Sequence, residues 1–222
     1  MMMSKDYLKF TDYLIDQDDE YLKVNSDTVI LGMSMDSLKN KTLLDIGTNT
    51  GALLLYGLKK GASKLIGVDI QEGPLRIAKG NLERYHANFE LIRDDIKNID
   101  NIKADAIVCN PPYFEMNNVT PDEKFKTAMF EESLRLDDLF HSYRRLLKDN
   151  GEIYMIYPAD RYHELYYMCL KYKLKIMKMR FVHDTNKEYA LRVVLKMKIG
   201  KMTKVRIYRP IMIDKGDFKW EA

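Results

Sequence analysis

Short apolar runs alternate with stretches of helical period along most of this chain. Thr42–Ile46, Lys64–Ile70, Phe89–Ile92, Ala104–Cys109 and Glu152–Tyr157 are too short for helices and too continuously apolar for one-sided strands, so they read as buried strands. Between them, Ala52–Leu58, a stretch from Pro74 to about His86, and Leu134–Lys148 have helical spacing. Pro74 suits a first helical turn, and Asn150-Gly151 reads as a stop. Arg161–Lys171 follows as a further helix. Strands alternating with helices predict a parallel sheet with right-handed crossovers. Leu174–Val182 and Tyr189–Lys198 break that rhythm, because they are longer, alternate in polarity and have no helix between them; an antiparallel pair is expected. Lys204–Tyr208 reads as a last strand. At the start, Tyr13–Asp16 and Tyr21–Val24 read as a hairpin around Gln17-Asp18-Asp19-Glu20. Asn25 or Ser26 then caps a helix to about Met33.

The expected organisation is one domain over residues 1–222: an N-terminal hairpin and helix over 1–40, a core over 41–198, and a strand and tail over 199–222. With 222 residues, 46% of them hydrophobic, the chain can bury a full core, which argues against wholesale disorder. No apolar run approaches a membrane span, and Met1-Met2-Met3-Ser4-Lys5-Asp6 lacks the apolar block of a signal peptide. Cys109 and Cys169 lie far apart in apolar context, which predicts buried, reduced thiols in a cytoplasmic protein. The four histidines show no ligand spacing, so no metal is expected. No heptad or exposed apolar stripe stands out, so a monomer is expected. The net charge of +3 is unevenly spread: from Arg161 onward, 16 Lys/Arg face 6 Asp/Glu, against 20 and 27 before it. That excess suits either a polyanion surface or a lysine-protected sheet edge; interleaved aromatics favour nucleic acid.

The candidate chemistry begins where the run Ala104–Cys109 ends. Asn110-Pro111-Pro112-Tyr113-Phe114 delivers an amide, two prolines and two rings at a strand's carboxyl end, where open parallel sheets bind ligands. The Asn110 side-chain oxygen and the proline carbonyls are acceptors, and the prolines lack N–H donors. Tyr113 and Phe114 add flat faces. Such a slot suits a planar group bearing an NH2: adenine, cytosine or a carboxamide. Glu115–Met129, polar and long, is placed to act as a lid.

Asp45-Ile46-Gly47-Thr48-Asn49-Thr50-Gly51 resembles the Asp-x-Gly-x-Gly-x-Gly nucleotide loop of methyltransferases dependent on S-adenosylmethionine (SAM), with Asn49 in place of the middle glycine. The order of elements resembles their variant of the Rossmann fold: a seven-stranded, mostly parallel sheet with a C-terminal antiparallel hairpin. Together, the loop and Asn-Pro-Pro-Tyr-Phe resemble the amino-methyltransferases, which act on adenine N6, guanine N2 or the glutamine N5 of release factors. The lead-in Tyr21–Met33, Asp69-Ile70-Gln71, Asn81, Phe114, Glu131, Arg145–Gly151, Val182-His183 and Val205–Tyr208 narrow it. The stretch Leu14 to Arg209 is similar to the bacterial family that N6-methylates the adenosine 3′ to the anticodon of a valine tRNA. Met129-Phe130-Glu131 stands where that family tends to show Arg-His-Glu.

The resemblance implies SAM as cofactor and tRNA as partner. Asp45 would meet the cofactor's amino-acid portion, beside Gly47, Asn49 and Gly51; Asp69, with Ile70, would take the ribose hydroxyls; Asp95, or Asp94, would reach the adenine amine. Ser26 and Asp27 would line the pocket floor, and the basic C-terminal portion would grip RNA. Asn110 and Pro111, carried by Pro112 and Tyr113, would orient the acceptor amine by two N–H bonds, with Tyr113 stacked on the base and Phe114 either a second face or core. Two other readings remain open: a protein glutamine methyltransferase, disfavoured by only about forty residues ahead of the first core strand, and a non-catalytic, cofactor-sensing RNA-binding module.

Overall fold

The computed structural model describes residues 3–111, 135–215 and 217–220. In chain order the elements are β1 (Met3–Tyr7), β2 (Leu14–Asp18), α1 (Ser26–Ser34), β3 (Thr42–Ile46), α2 (Ala52–Lys59), β4 (Lys64–Asp69), α3 (Glu72–Glu83), β5 (Phe89–Arg93), a 3-10 turn at Ile96–Asn98, and β6 (Ala104–Cys109). There follow α4 (Leu136–Leu146), β7 (Leu147–Pro158), α5 (Tyr162–Lys171), β8 (Leu174–Asp184), β9 (Ala190–Ile199), β10 (Arg206–Ile207) and β11 (Ile211–Ile213).

The large sheet runs β5-β4-β3-β6-β7-β9-β8, with β10 and β11 both on the outer edge of β8. Only β9 runs against its neighbours, pairing antiparallel with β7 and with β8. The carboxyl ends of the other strands therefore share one edge. The apolar runs are continuous because both faces are covered. Leu44, Ile66, Ile107 and Ile153 pack beneath Phe140 and Tyr143 of α4 and Leu165 of α5. Leu43, Leu65, Ala106 and Val108 pack on the other side, against Ile30 and Leu31 of α1 and Leu54 of α2. Cys109 and Cys169 are buried free thiols, with burial pushing Cys169 up to about 12.

Three expectations need correction. The N-terminal hairpin pairs β2 with β1, not with Tyr21–Val24. Ser4, Lys5 and Asp6 are polar, with Lys5 and Asp6 exposed and Ser4 half-buried, so β1 carries no apolar signature. The backbone of 21–24 is instead satisfied by side chains: Gln17 Oε1 accepts from the Val24 amide at 2.7 Å, and Asn49 donates to the Leu22 carbonyl at 2.6 Å. Second, the expected helix to Lys148 closes at Leu146, and the fifth core strand begins at Leu147, ahead of the expected Glu152. The chain turns into β7 at Leu147, which pairs with Ala104 before a bulge resets the register to Ala106–Glu152. Third, the last strand is two short pieces, β10 and β11, both parallel to β8.

Part of the basic excess lies inside the sheet rather than on its surface. Lys178 and Lys196 face each other across β8 and β9, an arrangement that would repel. Asp36 lies between them, 2.9 Å from Lys178 and 2.6 Å from Lys196. Lys196 also reaches Glu152 at 2.7 Å, joined by Lys198 at 3.1 Å and Lys41 at 3.3 Å. Burial pushes the Glu152 carboxyl up. The bonds from Lys196, Tyr154 and Lys198 outweigh it and pull the group down to about 2.

Glu152 therefore stabilises the fold fully above its ordinary carboxylate range, and that contribution is lost as pH falls from 4.5 through about 2. Glu152→Gln is expected to cost about 1–2 kcal/mol near neutral pH, discounted for screening. In urea melts the gap between wild type and variant should close as the solution is acidified toward pH 2; a gap that stays constant would exclude this network as its source.

Candidate cofactor and acceptor site

Three neighbouring strands end level with one another. Ile46 of β3 pairs with Val68 of β4 and with Cys109 of β6, so Gly47, Asp69 and Asn110 leave the sheet side by side. The glycine loop folds back onto β4: the amides of Gly47 and Thr48 both donate to the Val68 carbonyl, at 2.9 and 3.0 Å. Gly47, Asn49 and Gly51 take positive φ, at 73°, 48° and 82°. A Cβ at Gly47 would project into open space, whereas one at Gly51 would come within 3.3 Å of Ala78 Cβ.

Asn49 does more than tolerate the left-handed backbone. Its amide donates to Asp69 Oδ2 at 2.9 Å, and its side chain holds the Leu22 carbonyl. The residues around Leu22 are thus tied across the loop. Tyr21 continues this cover onto α3, where a Cβ on Gly73 would collide with the Tyr21 hydroxyl. Asn81, fully buried on α3, holds the other side. It accepts from the Asp16 amide at 2.8 Å and donates to the carbonyls of Asp16 at 3.0 Å and Thr50 at 2.9 Å. In sequence Asn81 is only a motif match; its structural role depends on β2 and the loop meeting at one amide.

The acidic strand ends differ in state. Asp45 is 1% exposed; Thr48 donates to its Oδ2 at 2.8 Å, and its Oδ1 is buried with no partner among the described residues. Burial raises its pKa to about 7, with Thr48 opposing and Asp69 adding to the rise. Asp69 accepts from the Asn49 amide at 2.9 Å and the Gln71 amide at 3.0 Å, with the Ile70 amide also facing its carboxylate. Burial lifts its pKa even so. Ile70 is 45% exposed beside it, an apolar surface at the mouth of the loop. Asp95 caps the 3-10 turn through the Lys97 amide at 2.9 Å, and its carboxylate also pairs with the Lys97 ammonium at 3.1 Å. Asp94 bonds the Asp95 amide and Asn98.

Asn110 is half-buried, and Pro111 is buried behind it. The Asn110 Nδ2 points to Thr28 Oγ1 at 3.5 Å, which brings the first turn of α1 against the end of β6. Ser26 is half-buried in that turn, and Asp27 is buried and paired with Arg192 Nε at 3.0 Å. Arg192 carried no motif signal; it joins the site because β9 lies beside the end of β7, opposite Pro158. Pro112, Tyr113, Phe114, the segment 115–129 and Met129-Phe130-Glu131 lie outside the described residues.

These residues fit SAM. A buried carboxylate oxygen at Asp45, unpartnered among the described residues, and open space over Gly47 leave a polar cradle beside Asp69 and Ile70. A second feature lies at the far edge of the sheet, where a groove of about 760 Å³ is lined by Arg180, Tyr208, Arg209, Asp214, Asp217 and Lys219 among others. The Arg180 guanidinium sits over the rings of Tyr208 and Trp220, at 5.4 and 5.1 Å.

Two predictions follow from the loop. A cationic ligand needs Asp45 ionised, and its carboxyl titrates near 7, so SAM affinity should rise about tenfold between pH 6 and pH 8. In titration calorimetry, Asp45→Asn should weaken binding and flatten that dependence. Asn49→Gly keeps the backbone geometry but releases Leu22; SAM affinity should fall about fivefold with the melting temperature little changed.

The comparisons with known proteins agree with this geometry. Residues 37–216 match the family model described as a methyltransferase domain. A Christiangramia forsetii protein named tRNA1(Val) (adenine(37)-N6)-methyltransferase is 33% identical over 168 residues, 70% of this chain and 69% of its own. A Phocaeicola vulgatus protein of the same name is 29% identical over 201 residues, 89% of this chain and 86% of its own. Among solved structures, Methanocaldococcus jannaschii Trm5 in complex with adenosine superposes with a TM-score of 0.65 at 16% identity, covering 90% of this chain and 55% of that one. A T. thermophilus 16S rRNA methyltransferase in complex with AdoMet and guanosine gives 0.64 at 15% identity, covering 89% and 50%. At those identities the likeness speaks to the fold, a class I methyltransferase sheet. A domain model spanning most of the chain and relatives of one name together place the sequence: it belongs to the tRNA1(Val) (adenine(37)-N6)-methyltransferase family.

Proposed function

We propose that this protein transfers a methyl group from SAM to the exocyclic N6 of an adenosine in tRNA, at position 37, next to the anticodon of a valine tRNA. The observation that carries the reading is the placement of Asn110, level with the glycine loop and with its amide nitrogen engaged by Thr28. SAM supplies a methyl carbon on a sulfonium, already activated for displacement. Gly47, Asn49, Gly51, Asp45, Asp69 and Ile70 hold it, with Ser26, Asp27 and Asp95 at the pocket's borders.

The chain's contribution to the chemistry is to present the acceptor amine. An aromatic amine has its lone pair delocalised into the ring. When Asn110 Oδ1 and the Pro111 carbonyl each accept one N–H, the nitrogen is drawn toward a tetrahedral shape and its lone pair is directed at the methyl carbon. Those acceptors also stabilise the positive charge that develops, so no strong base is needed. The proton departs to water. Tyr113 stacks on the base, worth about 1–3 kcal/mol, and Phe114 is either a second face or part of the core. The target base must first leave its stack. A cytoplasmic site of action, where tRNA is found, accords with this substrate.

Purified protein should transfer labelled methyl to tRNA, and nucleoside mass analysis should return N6-methyladenosine. Asn110→Ala should lower kcat by about 100-fold or more while SAM binding changes little. Methylation of a release factor, with none on RNA, would overturn the assignment. Arg209 and Lys219 border the far groove. Replacing both by Ala should weaken tRNA binding and reduce the salt slope of log K by about two, as measured by anisotropy of labelled tRNA.

A further inference from the structure

Asn110 can work only in one of its two amide orientations. Its oxygen must face the acceptor amine; with the NH2 group there instead, donor would meet donor. The two orientations have nearly the same shape, so packing alone selects weakly between them. Something next to Asn110 must distinguish nitrogen from oxygen.

We infer that Thr28 is a positioning residue for the reaction, which fixes the orientation of the Asn110 amide through a hydrogen-bond relay that starts at Asn25. Asn25 caps α1, its Oδ1 accepting from the Thr28 amide at 3.0 Å and from the Thr28 hydroxyl at 3.2 Å. That second bond takes the only proton the hydroxyl has. Thr28 Oγ1 is left with lone pairs alone, facing Asn110 at 3.5 Å. It can then meet the amide nitrogen favourably but not the amide oxygen, so Asn110 Oδ1 is turned away from α1. Reversing the amide would require Thr28 to abandon Asn25 or would set two acceptors face to face. The turn that carries Thr28 is itself held to the sheet by the Asp27–Arg192 pair at 3.0 Å. Sequence-distant strands β6 and β9 and the α1 cap therefore act on one amide.

This inference rests on the role of Asn110 proposed above, and the experiment separates the two. Methyl transfer to tRNA is measured for wild type, Thr28→Val, Thr28→Ser, Asn25→Gly, Asn110→Ala and the Thr28→Val/Asn110→Ala double variant. SAM affinity and melting temperature are measured in parallel. Thr28→Val keeps the shape and removes the hydroxyl; kcat should fall about tenfold with the KM for SAM unchanged. Thr28→Ser should stay within about twofold of wild type. Asn25→Gly leaves an acceptable cap but frees the Thr28 proton, and should lower kcat like Thr28→Val. The double variant should be no slower than Asn110→Ala alone, because the relay acts through that residue. Wild-type kcat in Thr28→Val, equal loss in Thr28→Ser, or a double variant slower than Asn110→Ala would overturn the relay while leaving Asn110 in place. Wild-type kcat in Asn110→Ala would overturn both.

Discussion

The buried amide of Asn81 is the contact on which the cofactor end depends. One side chain satisfies both backbone groups of Asp16 and the carbonyl of Thr50. The Thr50 carbonyl, buried, would otherwise be left unpaired at a cost of about 1–3 kcal/mol, and the two Asp16 groups, partly buried, would lose their partner as well. The same clamp sets the N-terminal hairpin over α3, where Arg84 pairs with Asp16, and the Tyr85 hydroxyl donates to the Leu14 carbonyl at 3.0 Å. From that fixed hairpin the chain crosses the glycine loop through Leu22 and enters α1 at its Asn25 cap. The N-terminal forty residues are thus a wall of the site, not an appendage to it.

The charge pattern divides between the two ends of the sheet's α1 side. Away from the strand ends, Asp36 and Glu152 are ringed by Lys41, Lys178, Lys196 and Lys198, and the carboxylates are held ionised. At the carboxyl end, Asp45 has no cation beside it among the described residues, and burial raises its pKa to about 7. A buried carboxylate without a counter-charge is destabilised. A cationic ligand beside it would relieve that cost on binding.

Asn49 shows how a departure from a motif can be read physically. A residue with positive φ at that position is limited chiefly to Gly and Asn. Glycine would satisfy the backbone alone. Asparagine satisfies it and adds a donor that reaches Leu22, so the change from the usual glycine brings a contact rather than a defect. The basic C-terminal half reads in the same way. Lys178, Arg192, Lys196 and Lys198 serve internal carboxylates, while Arg209 and Lys219 border the far groove.

The strands of the core, their order of appearance, the glycine loop, the acidic residues at three strand ends and the position of Asn110 at the end of β6 were all legible in the chain itself. Each is set by local chemistry: apolar runs buried on two faces, residues that accept positive φ, a polar group at a strand's end. The pairing of β1 with β2, the capture of Leu22 by Asn49, the Asn81 clamp, and the approach of Thr28 and Arg192 to the site were decided only by the tertiary structure. Those contacts join residues dozens of positions apart through single polar atoms, and one hydrogen bond to a distant backbone leaves no periodicity behind. A hydrophobic pattern records which side of an element faces inward; it does not record which partner waits there.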